Sequence, residues 1–205
     1  MSSFTYTQES IDHLESMLST DRFETYVKLA NGDRREALSL YKKNILISPR
    51  FYTLIHILEV CLRNKIDANL SKKYGLNWYK NGKLDLLIAQ LKILKEIPRA
   101  EKRGNVITAL PFGFWSSFFG RPYEQLWRQN LRFIFDDKIS LKRSTIAAYT
   151  KEIRTLRNRI AHHECILKMD MNKLEKEAIK FLNLLSPTTA SWLEAELLNS
   201  TTSPF

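Results

Sequence analysis

Apolar residues recur at helical spacing along almost the whole chain, and only six glycines and six prolines interrupt them. Ile11, Leu14 and Leu18 predict a first helix over about 7–18. Thr20 or Asp21 offers a cap for a second, which stops near Asn31-Gly32. Asp33 opens a third, carrying Ala37, Leu40, Tyr41 and Ile45. Ser48-Pro49 then reads as a fresh start, since serine accepts from the orphan amides and proline tolerates the first helical position. From it runs the clearest stripe of all, Phe51, Leu54, Ile55, Leu58, Leu62, Ile66 and Leu70, ended by Tyr74-Gly75.

Further helices are predicted over 84–96 (Leu87, Leu91 and Leu94 inward) and from Pro122 onward (Leu126, Leu131 and Phe135 inward). Ser144 caps a helix over 145–162 with Ile146, Tyr149, Ile153, Leu156 and Ile160 inward. An amphipathic helix over 170–185 follows, with Leu174, Ala178, Phe181, Leu182 and Leu185 together, and Ser186-Pro187 separates it from a short helix around Trp192. Leu110-Pro111-Phe112-Gly113-Phe114-Trp115 is turn-rich and aromatic, fit either to pack a loop on the core or to stack on bases. No strand-like alternation, repeat or heptad register appears. The expected fold is all-α, a single domain over 1–205 with antiparallel helices around a bundle core and a polar tail over about 199–205.

Composition sets bounds on this picture. At 205 residues, with 44% hydrophobic and 26% charged, a single domain buries roughly 70% of its unfolded surface and needs no disulfide or metal staple. Two cysteines, Cys61 and Cys165, without metal-ligand spacing fit free thiols in a reducing interior. No apolar run approaches the roughly 18 residues that span a bilayer, and the first residues start no signal peptide, so a cytoplasmic protein without membrane attachment is expected. A net charge of +10 attracts polyanions, of which nucleic acid is the commonest, although a merely solvated lysine-rich surface gives the same number. Lys92, Lys95, Arg99, Lys102 and Arg103 form the densest basic patch, and Arg121, Arg128 and Arg132 a second flank.

Candidate chemistry gathers at Arg157-Asn158-Arg159-Ile160-Ala161-His162-His163-Glu164. A permanent cation, an amide and a titratable imidazole stand there within little more than one helical turn. Metal-free RNA cleavage needs such groups: a histidine moves the 2′-hydroxyl or leaving-group proton, and an arginine holds charge building on the phosphate. Asn158 and His162 share a helix face at i and i+4, whereas Arg157 stands about 140° from His162 and converges only through its long side chain. Glu59, Arg63 and Asn64 mark the margin of the Phe51–Leu70 stripe, as a surface ion pair or a buried polar cluster. The contiguous His162, His163, Glu164 and Cys165 point in different directions and make a poor chelating set, so neither metal nor cofactor is expected.

The order of these elements resembles the Abi-like (abortive infection) proteins, a branch of the HEPN superfamily of helical RNA-processing domains. The resemblance covers roughly 8–185. It is carried by Arg22-Phe23 with Tyr26, Gly32-Asp33 with Ala37-Leu38 and Leu40-Tyr41, Leu58-Glu59-Val60, Leu62-Arg63-Asn64-Lys65-Ile66, Tyr74-Gly75 with Trp78, Phe112-Gly113-Phe114-Trp115, and Leu156-Arg157-Asn158 through Ala161-His162-His163-Glu164. It implies a HEPN-like bundle with additional helices and a nuclease motif mapping onto Arg157, Asn158 and His162. His163, one position on, also satisfies the looser spacing. Asn158 is then the natural residue to orient the imidazole, and Glu59, Arg63 and Asn64 are possible supports from a neighbouring helix. The resemblance implies metal-independent cleavage of RNA, a homodimer pairing two copies of the motif, and a growth-arresting role restrained by a protein or small-RNA antitoxin until phage attack. Rival readings are a non-catalytic RNA-binding or protein-interaction module and, more weakly, a DNA-binding regulator.

Overall fold

The computed structural model describes residues 4–98, 101–135 and 141–198, and the fold is all-α, with no strand among them. Among the described residues ten α-helices follow one another: α1 (Gln8–Met17), α2 (Thr20–Leu29), α3 (Arg34–Tyr74), α4 (Ile88–Glu96), α5 (Arg103–Ala109), α6 (Phe112–Ser116), α7 (Glu124–Gln129), α8 (Arg143–Ala161), α9 (Met171–Leu185) and α10 (Pro187–Trp192). They fall into two compact units. One comprises the described residues up to Tyr52 with Leu156–Asn172; the other comprises Thr53–Thr155 and the described residues from Lys173 onward. The polar tail expected over 199–205 lies outside the described residues.

In the first unit α1 starts on a reciprocal cap between Thr7 and Ser10. Helix α2 has no side-chain cap: Ser19 precedes it at φ 71°, so neither Thr20 nor Asp21 fills the expected role. Asn31, at φ 52°, ends α2 with the amides of Asn31 and Gly32 folding back to the carbonyls of Lys28 and Val27. Asp33 caps α3 by accepting from the amides of Arg35 and Glu36 at 2.9 and 3.0 Å. Ile11, Phe23, Tyr26, Ala37, Leu38 and Cys165 form the core. Arg34 ties α3 to α1 by donating to Asp12 at 2.6 Å and to Glu15.

The largest correction to the sequence reading is at Ser48-Pro49. No helix ends there; α3 runs through Pro49 for 41 residues. Proline withholds the amide that the Ile45 carbonyl would accept, and the Ser48 hydroxyl turns back to donate to the Asn44 carbonyl at 2.7 Å. The apolar stripe continues on both sides, and packing overrides the local stop signal. The long α3 is also apolar enough over an 18-residue window (mean hydropathy 1.5) to meet the length and composition of a membrane span, which corrects the expectation that no stretch approaches one. Leu54, Leu58, Leu62, Ile66 and Leu70 are nonetheless buried within the protein.

In the second unit the aromatic segment after Leu110 is helical, and Phe112, Phe114, Trp115, Phe118 and Phe119 are buried. Trp78 sits among them, its ring 5.9–6.3 Å from those of Phe114, Trp115 and Phe118. Base stacking by these rings is thereby excluded; they are core. Helix α4 begins at Ile88 rather than 84 and turns Gln90 inward, leaving Leu91 exposed, the reverse of the apolar reading. Gln90 accepts from the Leu87 amide at 3.0 Å and donates to the Phe114 carbonyl at 3.3 Å, while Tyr123 bonds its side-chain oxygen. The helix expected from Pro122 through Phe135 is broken at Asn130. All five predicted inward residues of α9, Leu174, Ala178, Phe181, Leu182 and Leu185, are buried.

Candidate functional site

Helix α8 delivers the Arg-Asn-His run at its C-terminal end, where unpaired carbonyls concentrate negative partial charge and favour cations. The end is closed by a double backbone bond. Glu164 donates its amide to the Arg159 carbonyl at 2.8 Å, and His163 donates to Ile160 at 3.1 Å, the pattern of a Schellman cap. Such caps need a left-handed residue, usually glycine; His163 takes that position at φ 57°. His162 is therefore the last residue still in register, its amide on the Asn158 carbonyl at 2.9 Å. Arg159 and Glu164, where apolar groups commonly meet in this cap, form an ion pair at 3.9 Å instead.

Arg157 is half-buried, and Asn158, His162 and His163 are exposed. Among the described residues no side-chain hydrogen bond or ion pair engages Arg157, Asn158 or His162. The expected orienting bond from the Asn158 amide to the His162 ring is absent, which corrects that part of the sequence reading; only the backbone joins the two. Beyond the cap the chain dives inward at Cys165 and Ile166. There Asn44 of α3, 6% exposed, accepts from the Ile166 amide at 2.8 Å and donates to the Glu164 carbonyl at 3.3 Å. Arg159 adds a bond to the Cys165 carbonyl at 3.2 Å. The segment after His163 is thus held from two directions.

Sequence reasoning did not single out Asn44, although the signal was present. It continues the inward row Ala37, Tyr41, Asn44, Ser48 on α3, and a polar residue on a buried stripe requires a partner. Also unforeseen is a pocket of about 290 Å³ between α2 and the segment after α8, lined by Arg22, Tyr26, Arg159, His163 and Lys168 among others. His163, not His162, faces it.

The remaining candidates lie in the second unit. Glu59 and Arg63 are half-buried, and Arg63 donates to the adjacent Asn64 at 3.5 Å. Neither the Glu59–Arg63 ion pair nor a closed polar cluster forms among the described residues. Lys92, Lys95, Lys102 and Arg121 are exposed, and Arg99 lies outside the described residues. Arg128 pairs with Glu124 at 2.9 Å. Arg103 is committed elsewhere: it donates to Asp67 at 2.5 Å, to Ser71 at 3.0 Å and to the Leu76 carbonyl at 3.0 Å, and Asp67 also accepts from the Trp78 indole at 2.8 Å. That side chain is a structural strut rather than a free RNA contact. Arg143 bonds Glu124 at 2.6 Å and, with Arg128, holds its carboxyl below the usual glutamate range.

Among the described residues, no group of three or more His, Cys, Asp or Glu is placed to hold a metal ion. Comparison of the chain with models of known protein families, with curated proteins and with solved structures returns no match.

Proposed function

We propose that this chain is a metal-independent endoribonuclease of HEPN type, a toxin-like effector of abortive infection that acts in the cytoplasm as a homodimer. The observation that carries the reading is the half-buried Arg157 with the exposed Asn158 and His162 at a helix end whose geometry a Schellman cap fixes. A cation and an imidazole without competing partners are available to a polyanion.

In the proposed reaction the substrate's 2′-oxygen attacks the adjacent phosphorus. The bond from phosphorus to the 2′-oxygen forms as that to the 5′-oxygen breaks. One imidazole removes the 2′-hydroxyl proton, and a second returns a proton to the departing 5′-oxygen. Arg157 holds the charge that accumulates on the phosphoryl oxygens. Efficient transfer needs both an acid and a base, and one chain supplies a single His162. An isologous dimer supplies the other as His162 of the partner subunit. Asn158, with no bond to the ring in the single chain, is free to reach a phosphate oxygen. DNA resists, because it lacks the internal nucleophile. A protein or small-RNA antitoxin restrains the activity.

A second reading is RNA binding without turnover, and one observation favours it: among the described residues no side chain hydrogen-bonds the His162 ring. Purified wild type, Arg157→Ala and His162→Ala, incubated with total RNA with and without EDTA, separate the two. Cleavage by wild type alone, indifferent to EDTA, supports the nuclease. Binding by all three with cleavage by none supports the alternative.

A further inference from the structure

The pocket between α2 and the end of α8 contains more positive charge than the fold requires. Arg22 reaches it from α2, Arg159 from the last turn of α8, and Lys168 from the segment beyond. Arg159 is anchored by the Cys165 carbonyl and Glu164, which gives one cation a fixed direction. Arg22 and Lys168 are exposed and take no carboxylate partner among the described residues. Asp21 and Glu164 also line the pocket, and three cations against two carboxylates leave it positive.

Its floor is the second observation. Tyr26 is 2% exposed, and its hydroxyl has no hydrogen-bond partner among the described residues. The Cys165 thiol stands beside it, a weak partner outside hydrogen-bonding geometry. Burial, the largest cause, and that neighbour push the phenol well above its ordinary value, so the group is a protonated donor. A buried hydroxyl without a protein partner is uncommon in folded proteins, and a water or a group from outside can complete the bond. His163 adds an imidazole to the same pocket from a left-handed backbone position that glycine fills with less strain.

We propose that this pocket is a phosphate subsite for single-stranded RNA, taking a backbone phosphodiester next to the linkage addressed by Arg157 and His162. Arg22, Lys168 and Arg159 neutralise the phosphate, and the Tyr26 hydroxyl donates to one of its oxygens. The proposal rests on the ribonuclease reading for the identity of the polyanion, but binding requires no turnover.

The test uses a fluorescent 2′-O-methyl RNA dodecamer, which cannot be cleaved, with anisotropy read over a range of salt concentrations. The Arg22→Ala/Lys168→Ala double variant is expected to bind at least tenfold more weakly. Its dependence of log K on log salt flattens by about 0.7 for the one phosphate released. Tyr26→Phe weakens binding several-fold, while Lys28→Ala, on the same helix outside the pocket, changes neither quantity. If no protein cleaves RNA but the pocket variants still lose affinity, the nuclease reading falls and the subsite stands. Unchanged affinity and salt slope in the double variant overturn the subsite, as does absence of binding by wild type. Inorganic phosphate that raises the Tm of wild type but not of the double variant, with oligonucleotide binding equal in both, assigns the pocket to a small phosphate compound and also overturns it.

Discussion

Asn44 and Ile166, 122 positions apart in the chain, are joined by a 2.8 Å bond from the Ile166 amide to the Asn44 side-chain oxygen. The nitrogen of the same Asn44 side chain donates to the Glu164 carbonyl, so one buried side chain fixes the stretch of backbone that leaves the His-His pair. Removing it leaves two backbone groups without partners. Asn44→Ala is expected to lower unfolding stability by about 2–4 kcal/mol. Asn44→Asp keeps the acceptor, loses the donor and leaves a buried carboxyl, so it also destabilises. Urea unfolding measures both. A loss under about 0.5 kcal/mol for Asn44→Ala means the clamp is not closed in solution.

His163 separates stability from chemistry. Its positive φ costs about 1 kcal/mol relative to glycine, so His163→Gly raises stability by roughly that amount and His163→Ala does not. If His162 is the proton carrier, His163→Gly retains cleavage at saturating RNA while His162→Gln loses at least about 100-fold. A cleavage loss of that size in His163→Gly would instead transfer the role to His163.

Glu152 and Glu177 provide a pH test. The neighbouring Glu152 carboxyl holds the Glu177 carboxyl above its ordinary value, with burial acting in the same direction and Lys173 opposing them. A carboxyl whose folded value is raised contributes stability that is complete below the unfolded value and disappears as pH rises through the folded one. Wild-type Tm should therefore carry a downward component as pH climbs above the ordinary glutamate range. Glu177→Gln, which keeps a donor and removes the titration, should flatten that component. Parallel Tm profiles for the two proteins would show that the carboxylates do not share a proton.

Arg103 should behave as a strut. Its pairing with Asp67, which is 13% exposed, continues to the fully buried Trp78, so Arg103→Ala is expected to cost about 1–3 kcal/mol of stability. The affinity of the folded variant for RNA should stay at the wild-type level. The exposed Lys92 and Lys95 should show the opposite pattern, with affinity lost and stability kept. Equilibrium unfolding and anisotropy on the same preparations distinguish these outcomes.

Much of the fold was legible because helix periodicity and caps are local. Asp33, Asn31-Gly32 and Gly75 end or begin helices where their chemistry says they should, and the Phe51–Leu70 row of α3 and the inward row of α9 are buried as read, whereas Ile45, read with Ala37, Leu40 and Tyr41, is exposed. Ser48-Pro49 misled because a strong local start signal sits inside a stripe that packs on both sides. Gln90 and Leu91 exchanged roles because a buried amide found the Phe114 carbonyl and the Tyr123 hydroxyl, partners distant in the chain. The site was legible in composition but not in assembly. Arg157, Asn158 and His162 are adjacent in sequence, whereas Arg22 and Tyr26, at i and i+4 on α2, meet Lys168 only after folding, and no spacing rule brings that third residue to them.

The most direct test of the ribonuclease account is the chemistry of the cut ends. A defined RNA cleaved by wild type is predicted to yield 2′,3′-cyclic phosphate and 5′-hydroxyl termini by mass spectrometry. A single 2′-deoxy substitution at the cleaved position should abolish the cut, and His162→Ala should yield neither terminus. Products carrying 5′-phosphates, or equal cleavage of the 2′-deoxy substrate, would contradict attack by the 2′-oxygen and with it the proposed roles of Arg157 and His162.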